Sequence, residues 1–435
     1  MPELPNILYV YSHDTGRPFR PYGHSVRTPN IQRLAEEGVL FRQAFCAAPT
    51  CSGSRACLLT GQYAHSNGMV GLAHRGFELN DYRQHIVHML RENGYLSALI
   101  GEQHISKKPG VIGYDEVFKI PSTRTDDVVP VTLDLLEKTG DRPFFLSVGF
   151  FETHREFFRP SSPKKANYVT PPPNLPDTPE TRLDMAAFQE SARSLDRGVG
   201  AVLDALDAEG LAENTLVICT TDHGLAFPGA KATLHDRGLG VMLILRGPGG
   251  FTGGRAVDAL VSHIDVFPTV CDLIGAKRPS YLQGESLLPL VNREANEVRE
   301  AIFAEKTYHV AYEPERCVRT RRHKYIRRFD DEHPTPVLAN IDDGPSKDLI
   351  LSNGLADRPI PEERLFDLLY DPNEANNLAD DPAHATVLEE MRGRLRTWME
   401  ETDDPLLRGP VPAPVGAEIN TRDQLSPDDP PVIVT

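Results

Sequence analysis

Five continuous apolar runs in the first 280 residues constrain the fold more than any other feature of the chain. They are rich in β-branched and aromatic residues, as expected of strands buried on both faces. The runs are NILYVYS (6–12), LSALIG (96–101), FFLSVGF (144–150), LVICTT (216–221) and VMLIL (241–245). Segments with helical periodicity separate them, at 28–38, 83–94 and 185–210. This β/α alternation predicts an α/β fold, with a large, mostly parallel sheet sandwiched by helices.

The pattern changes at about residue 300. Short antiparallel strands are predicted within 301–306, 317–329 and 364–379, followed by a helix over 385–402. We therefore expect an N-terminal catalytic domain at 1–300, a smaller C-terminal α+β domain at 301–400, and a tail at 401–435. The tail is rich in Pro and Asp, so we expect it to be extended over the surface or mobile.

Charge and the N-terminus exclude some classes of function. The net charge of −16 argues against sequence-independent binding to nucleic acid or to an anionic membrane. An anionic ligand would therefore need a local cluster of positive charge. The first residues, MPELPNILYVYSHD, have neither a basic segment nor a long apolar run. We expect neither a signal peptide nor a membrane span, and we expect a cytoplasmic protein.

Metal-binding and acid-base residues follow four of the predicted strands. In open α/β sheets, ligand sites lie beyond the carboxyl ends of the strands, so these side chains are expected to meet in one crevice. A single histidine in such a place is usually a capping or solvated residue, and only the joint pattern indicates a site. The residues are His13, Asp14, His104, His154, Asp222 and His223.

Part of this group has the composition of a metal site. Asp14, Asp222 and His223, with His13 as a candidate fourth ligand, form a plausible set for a divalent cation. Carboxylates suit hard ions, and an imidazole shifts the preference toward manganese, magnesium or zinc rather than an all-oxygen calcium site. A structural network of ion pairs and hydrogen bonds is the alternative interpretation.

The segment CSGSRACLLTG (51–61) raises the question of what Cys51 does. It could be a nucleophile, a metal ligand, half of a disulfide or a small apolar residue. The six cysteines are too sparse for a disulfide scaffold and include no CxxC pair, so most are expected to be buried thiols. A helix beginning near Ser52 would direct its N-terminal amides toward position 51, and Arg55 would lie beside it. Both features would stabilise an anionic group there.

The same segment resembles the type I sulfatase signature, in which Cys or Ser is followed two places later by Pro or Ala, then by Ser-Arg and Leu-Thr-Gly. Other segments agree in order: PNILYVYSHDTG and TTDHG are similar to the two metal segments, KATLHDRG to the lysine segment, and LFDLLYDPNEANNL to the C-terminal domain. The resemblance runs from about Pro5 to Leu378 and implies an alkaline phosphatase-like fold. AHSNGMVGLAHRGF additionally resembles the heparan N-sulfatase (sulfamidase) branch.

The resemblance implies a reaction and a cofactor. A formylglycine-generating enzyme would oxidise Cys51 to formylglycine, and the hydrate of that aldehyde would attack sulfur. One geminal hydroxyl would form the sulfo-enzyme, and the other would expel sulfate as the aldehyde returns. The implied activity is hydrolysis of a sulfate ester or sulfamate of a small molecule or saccharide.

The resemblance also implies a role for each site residue. Arg55 would orient the hydrate, and Lys231 would clamp a sulfate oxygen. His104 and His154 would share positioning of the hydrate and protonation of the leaving group. One divalent cation (Ca, Mg, Mn or Zn) would be held by Asp14, Asp222, His223 and His13.

Two positions depart from the family pattern. Gly53 stands where Pro or Ala is usual, so conversion of Cys51 is expected to be inefficient or to need a tolerant enzyme. Glu102 stands at the usual lysine position, which removes a positive charge from the sulfate pocket unless Lys107 or Lys108 folds back. The two departures keep open a non-catalytic sulfatase-derived binding protein. The Asp222–His223 pair keeps open a phosphonate monoester hydrolase or phosphodiesterase of the same superfamily. Substrate and oligomeric state, including a homo-oligomer, stay open.

Overall fold

A computed structural model describes residues 4–140, 142–330 and 332–435. In this part of the chain, the large sheet has eight strands in the order β4-β3-β5-β1-β6-β7-β2-β8. They are β1 (Asn6–Ser12), β2 (Val39–Phe45), β3 (Leu96–Gly101), β4 (Glu116–Val117), β5 (Phe144–Gly149), β6 (Thr215–Thr221), β7 (Leu243–Arg246) and β8 (Arg255–Ser262). Only β7 runs antiparallel to its neighbours, so the predicted mostly parallel sheet is confirmed.

Of the eleven α-helices in the described residues, most of those before residue 300 cover the two faces of this sheet, and the last packs on the C-terminal strands. The helices are α1 (Pro29–Glu37), α2 (Cys51–Thr60), α3 (Ala64–Asn67), α4 (Ile86–Glu92), α5 (Thr125–Glu137), α6 (Pro179–Ala208), α7 (Asp236–Leu239), α8 (Val266–Ile274), α9 (Leu288–Val291), α10 (Pro345–Ser352) and α11 (Ala385–Glu401). Helix α6 begins six residues before the predicted start at 185, because Thr178 and Thr181 form a reciprocal capping box. The helix predicted at 83–94 is shorter because the His85 side chain caps α4.

The C-terminal region forms a second, antiparallel sheet in the order β12-β11-β10-β9. Its strands are β9 (Ala301–Tyr308), β10 (Tyr312–Thr320), β11 (His323–Arg328) and β12 (Glu363–Asp367). Ile302 and Cys317 of this sheet belong to the same apolar core as Ile7 and Phe41 of the large sheet. The two sheets are therefore packed through a shared core rather than joined by a free linker.

The tail lies across the surface and is tied to the rest of the chain. Its strands β13 (Glu418–Ile419) and β14 (Val432–Ile433) pair with each other. Asn420 is buried, and its backbone N–H donates to Val310 O at 2.8 Å. Of the two interpretations that its composition left open, the structure shows the tail packed over the surface.

Two further observations concern the state of the cysteines and the length of the helices. All six cysteines are buried free thiols, as predicted. Among the described residues, the helices are each too short or too polar to cross a bilayer.

Candidate active site

The register of two neighbouring parallel strands places the candidate metal ligands together. Ser12, at the end of β1, pairs with Thr221, at the end of β6. The residues that follow these two positions, Asp14 and Asp222, therefore leave the sheet side by side. The backbone N–H of Asp14 donates to Asp222 Oδ1 at 2.8 Å. Asp14 has φ of 56°, a left-handed conformation that non-glycine residues seldom adopt and that is common at functional sites.

All four predicted metal ligands converge at this edge of the sheet, and all are buried. His13 Nδ1 lies 2.8 Å from Asp14 Oδ1 and 3.3 Å from Asp222 Oδ2. His223 Nε2 lies 3.2 Å from Asp14 Oδ1 and 3.8 Å from Asp222 Oδ2. Side-chain donor atoms of His13, Asp14, Cys51 and Asp222 lie within 4.8 Å of one another. The cluster therefore brings carboxylate and imidazole donors to one point.

Neighbouring groups set the protonation states of the donor side chains, and these states suit a cation. His223 Nδ1 lies 3.1 Å from Gly224 O, so a proton on Nδ1 leaves the lone pair of Nε2 facing the carboxylates. Burial alone would raise the pKa of Asp222, but His223, His13 and Arg55 hold that pKa well below its ordinary value. The pKa of Asp14 is also lowered, chiefly by Lys231 against the effect of burial. Both carboxylates are thus ionised, and the donor set fits a divalent cation.

Cys51 is the first residue of α2, which confirms that the segment begins a helix one residue earlier than expected. Its Sγ lies 3.4 Å from His223 Nε2 and 3.9 Å from Asp14 Oδ1. Burial raises the pKa of the Cys51 thiol well above its ordinary value, with Asp14 and Asp222 adding to the effect of burial. A thiol with a raised pKa is a poor nucleophile. The environment of Cys51 therefore disfavours direct thiolate chemistry at this position.

Arg55 lies one turn further along α2, fully buried. Its Nη2 donates to Asp222 Oδ2 at 3.0 Å, and its guanidinium lies 5.0 Å from the centre of the Tyr11 ring. The other donors, Nε and Nη1, are buried and have no hydrogen-bond partner among the described residues. Buried unpaired donors are costly, so these two atoms are available to donate to an anionic or hydroxyl group bound at the site.

Lys231 Nζ lies between two carboxylates. It donates to Asp14 Oδ2 at 2.7 Å and lies 2.9 Å from Asp342 Oδ2. Burial alone would lower the pKa of Lys231, but Asp14 and Asp342 raise it well above its ordinary value. Lys231 is thus a buried, charged ammonium and not the solvated surface lysine that is usual. Sequence reasoning missed Asp342, because it lies in an irregular loop of the C-terminal region that carries no motif.

His154 and His104 also lie at the cluster. His154 Nε2 is 3.7 Å from Asp14 Oδ2, and burial lowers the pKa of His154 to about 4. His104 Nε2 lies 2.6 Å from Nδ1 of His74, a second residue that sequence reasoning missed. His104 Nδ1 is buried without a partner in the described structure, and burial lowers the pKa of His104 well below its ordinary value. Both candidate residues present neutral imidazoles to the site.

Gly53 and Glu102, the two positions that depart from the family pattern, have different surroundings in the structure. A Cβ at Gly53 would lie 2.9 Å from Thr50 Oγ1 and 3.1 Å from Ala48 Cβ, so the helix start is packed too closely for a larger residue. Glu102 is half-buried and accepts a hydrogen bond from Thr123 Oγ1 at 3.0 Å. Lys107 is exposed, with Nζ 3.7 Å from Glu418 Oε1. Lys107 therefore does not fold back to replace the missing lysine.

Comparison with known proteins agrees with this geometry. Residues 5–276 match the family described as Sulfatase, and residues 225–347 match a second family, described as N-sulphoglucosamine sulphohydrolase, C-terminal. The chain belongs to the sulfatase family and is a sulfuric ester hydrolase.

Three individual proteins are similar to this chain over most of its length. The chain is 30% identical to N-sulphoglucosamine sulphohydrolase of Homo sapiens over an alignment of 466 positions. The alignment covers 93% of this chain and 92% of the relative. A protein solved in complex with its substrate D-glucosamine-2-N,6-O-disulfate superposes with a TM-score of 0.73 at 19% identity, covering 94% of this chain and 99% of that one. A phosphonate monoester hydrolase from Silicibacter pomeroyi superposes with a TM-score of 0.68 at 20% identity, covering 92% and 96%. At these identities, the solved structures show a common fold.

Proposed function

We propose that the protein is a metal- and formylglycine-dependent hydrolase that releases inorganic sulfate from a sulfamate or sulfate ester of an amino sugar. The observation that carries this proposal is the position of Cys51. Its Sγ lies beside His223 and Asp14, and Arg55 of the same helix has two buried donors that are available to a bound group. A buried thiol with a raised pKa is unsuited to attack, whereas the same position suits a modified, hydroxyl-bearing side chain.

Two groups would be supplied to this site. A divalent cation held by His13, Asp14, Asp222 and His223 would polarise the sulfuryl oxygens and lower the pKa of the attacking hydroxyl. Formylglycine derived from Cys51 would supply, as its hydrate, one hydroxyl to attack sulfur and a second to expel sulfate. A formylglycine-generating enzyme is therefore a transient partner.

The chain's own residues would bind the anion and move the protons. Lys231 and the free Nε and Nη1 of Arg55 would donate to oxygens at the reacting centre. The neutral imidazoles of His104 and His154 are suited to accept a proton from an attacking hydroxyl. The proton gained by one of them would then be available for the nitrogen or oxygen of the leaving group. Loops of the C-terminal region, including Val310 and Ala339, pack against Cys51 and exclude water from it.

The sugar class is supported by the relatives. The relative from Homo sapiens is named for N-sulphoglucosamine, and the substrate in the similar solved structure is a glucosamine carrying N- and O-sulfate. We therefore place an N- or O-sulfated glucosamine among the substrates to be tested first.

A second candidate is a phosphonate monoester hydrolase. It is favoured by the shared fold with such an enzyme and by the Asp222–His223 pair, which suits either tetrahedral anion. The experiment compares release of sulfate from N-sulfoglucosamine and from N-acetylglucosamine 6-sulfate with hydrolysis of phenyl methylphosphonate. Enzyme co-expressed with a formylglycine-generating enzyme is used throughout. Sulfate release with a higher kcat/KM supports the proposal, and a preference for the phosphonate would replace it with the second candidate.

A further inference from the structure

A carboxylate from the C-terminal region reaches the site and has no role in the reaction described above. Asp342 Oδ2 is buried and lies 2.9 Å from Lys231 Nζ, which also donates to Asp14 Oδ2 at 2.7 Å. An ammonium has three N–H groups. One of those on Lys231 is donated to Asp14, and the 2.9 Å contact with Asp342 Oδ2 is a charge contact without hydrogen-bond geometry, so N–H groups of Lys231 remain for an oxygen of a bound anion.

The charge of Asp342 is only partly neutralised. The groups closest to it electrostatically are Lys231, Asp14, His154 and His309. Burial lowers the pKa of His309 to about 3, so this imidazole is neutral and does not offset the carboxylate. The single charge of Lys231 is therefore shared between two carboxylates, Asp14 and Asp342. The positive charge that Lys231 offers to the sulfuryl oxygens is consequently smaller than it would be without Asp342 beside it.

The loop that carries Asp342 is fixed on both sides. Asn340 Oδ1 accepts hydrogen bonds from the backbone N–H groups of Val310 and Ala311, at 3.1 and 2.9 Å. Lys347 Nζ donates to Ile341 O and to Asp343 Oδ1, both at 2.7 Å. Asp342 is thus held at a constant distance from Lys231 and cannot readily turn away from a bound anion.

We propose that Asp342 is a specificity-determining residue, which makes the site favour monoanionic sulfuryl groups over dianionic phosphoryl groups of the same shape. The proposal rests on the function proposed above, because it takes Lys231 as the residue that contacts the anion. A fixed carboxylate behind that lysine repels each charge of the ligand, so a dianion is penalised more than a monoanion. A role limited to holding Lys231 in place would affect both ligands alike.

Binding of two inert probes tests the proposal without turnover. Benzenesulfonate carries one negative charge, and phenylphosphonate, which has a similar shape, carries mostly two at about pH 8. Isothermal titration calorimetry of the metal-loaded wild type, Asp342→Asn and Asp343→Asn gives both Kd values. We expect D342N to shift the ratio of Kd values toward phenylphosphonate by at least about fivefold. The control D343N removes the same charge from the next residue, and Lys347 keeps its hydrogen bonds to Ile341 O and Leu425 O, so the loop stays in place and the ratio should be unchanged.

Catalysis provides a second readout. The kcat/KM ratio for 4-nitrophenyl phosphate against 4-nitrophenyl sulfate should rise in D342N, and Asp342→Glu should restore the wild-type ratio. Asp342→Ser removes the charge with a smaller side chain and carries the test if D342N does not fold. An unchanged Kd ratio, or an equal loss of affinity for both probes, would overturn the proposal. Failure of the wild type to release sulfate would instead contradict the proposed function, and the binding ratio would still decide the role of Asp342.

Discussion

Cys51 Sγ lies 3.4 Å from His223 Nε2, so the predicted nucleophile is in direct contact with a predicted metal ligand. The two residues are 172 positions apart in the sequence. They meet because α2 begins at Cys51 beside the carboxyl end of β6, which His223 follows. A cation held by His223 would therefore lie close to the attacking group, where it would supply Lewis-acid chemistry.

Asp222→Ala should abolish turnover and weaken binding of the divalent cation at least about 100-fold, since it removes a charged ligand and leaves Arg55 without its partner. Metal content after dialysis, measured by plasma mass spectrometry, checks this. Asp404→Asn is the control, because Asp404 is also buried and paired with an arginine, Arg316, but lies in the C-terminal region. It should retain the metal. Stoichiometric metal in D222A would contradict the assignment of Asp222 as a metal ligand.

Cys51→Ser should lose multiple turnover but form a stable sulfo-serine. A single hydroxyl can attack sulfur, whereas no geminal hydroxyl is present to expel the sulfate. Intact mass after incubation with an aryl sulfate should show one added sulfo group, and D222A/C51S should show none. Turnover of C51S at the wild-type rate would mean that formylglycine is not the nucleophile.

Glu102→Lys should raise hydrolysis of an aryl phosphate relative to an aryl sulfate. Glu102 is half-buried and contributes to the raised pKa of Arg55, so its charge reaches the anion site. The change in preference should be about one to three kcal/mol. Matched kcat/KM values for aryl sulfate, aryl phosphate and phosphonate monoester check it, with Glu418→Lys as a charge-reversal control at a half-buried glutamate beside Lys107. The same ratio in E102K and wild type would place Glu102 outside the pocket.

Stability should fall as the pH is lowered from about 6.5 toward 4. Burial lowers the pKa of His85 and of His263 to about 3, so both fold as neutral imidazoles. A lowered pKa in the folded state means that the unfolded chain binds protons first. The stability that each imidazole contributes is therefore complete above pH 6.5 and decreases by up to about 2 kcal/mol at pH 5.

Urea unfolding at about pH 7.5 and pH 5 measures this effect. His85→Asn should reduce the pH dependence while keeping a side chain that can cap α4, since His85 Nδ1 accepts from Val87 N–H. A free energy of unfolding that does not change between the two pH values would contradict the assignment of neutral buried imidazoles.

The sequence predicted five of the eight strands of the large sheet, β1, β3, β5, β6 and β7, because each of these is a continuous apolar run. Strand β4 was missed because it has only two residues, and β8 because its first half alternates charged or small residues that are partly exposed. Strand β2 was missed because its sequence, VLFRQAF, includes two polar residues where the strand is partly exposed. The carboxyl-end rule brought Asp14 and Asp222 together without any knowledge of the register. Asp342 and His74 could not be predicted in this way, because each reaches the site from a loop whose path depends on tertiary contacts.

The mass of the tryptic peptide Gln43–Arg55 tests the central claim most directly. The protein is prepared with and without a co-expressed formylglycine-generating enzyme, and sulfate release is measured on the same samples. We predict that Cys51 carries the aldehyde while Cys46, in the same peptide, stays a thiol, and that activity rises in proportion to the converted fraction. Sulfate release by protein in which Cys51 is entirely unmodified would contradict the account.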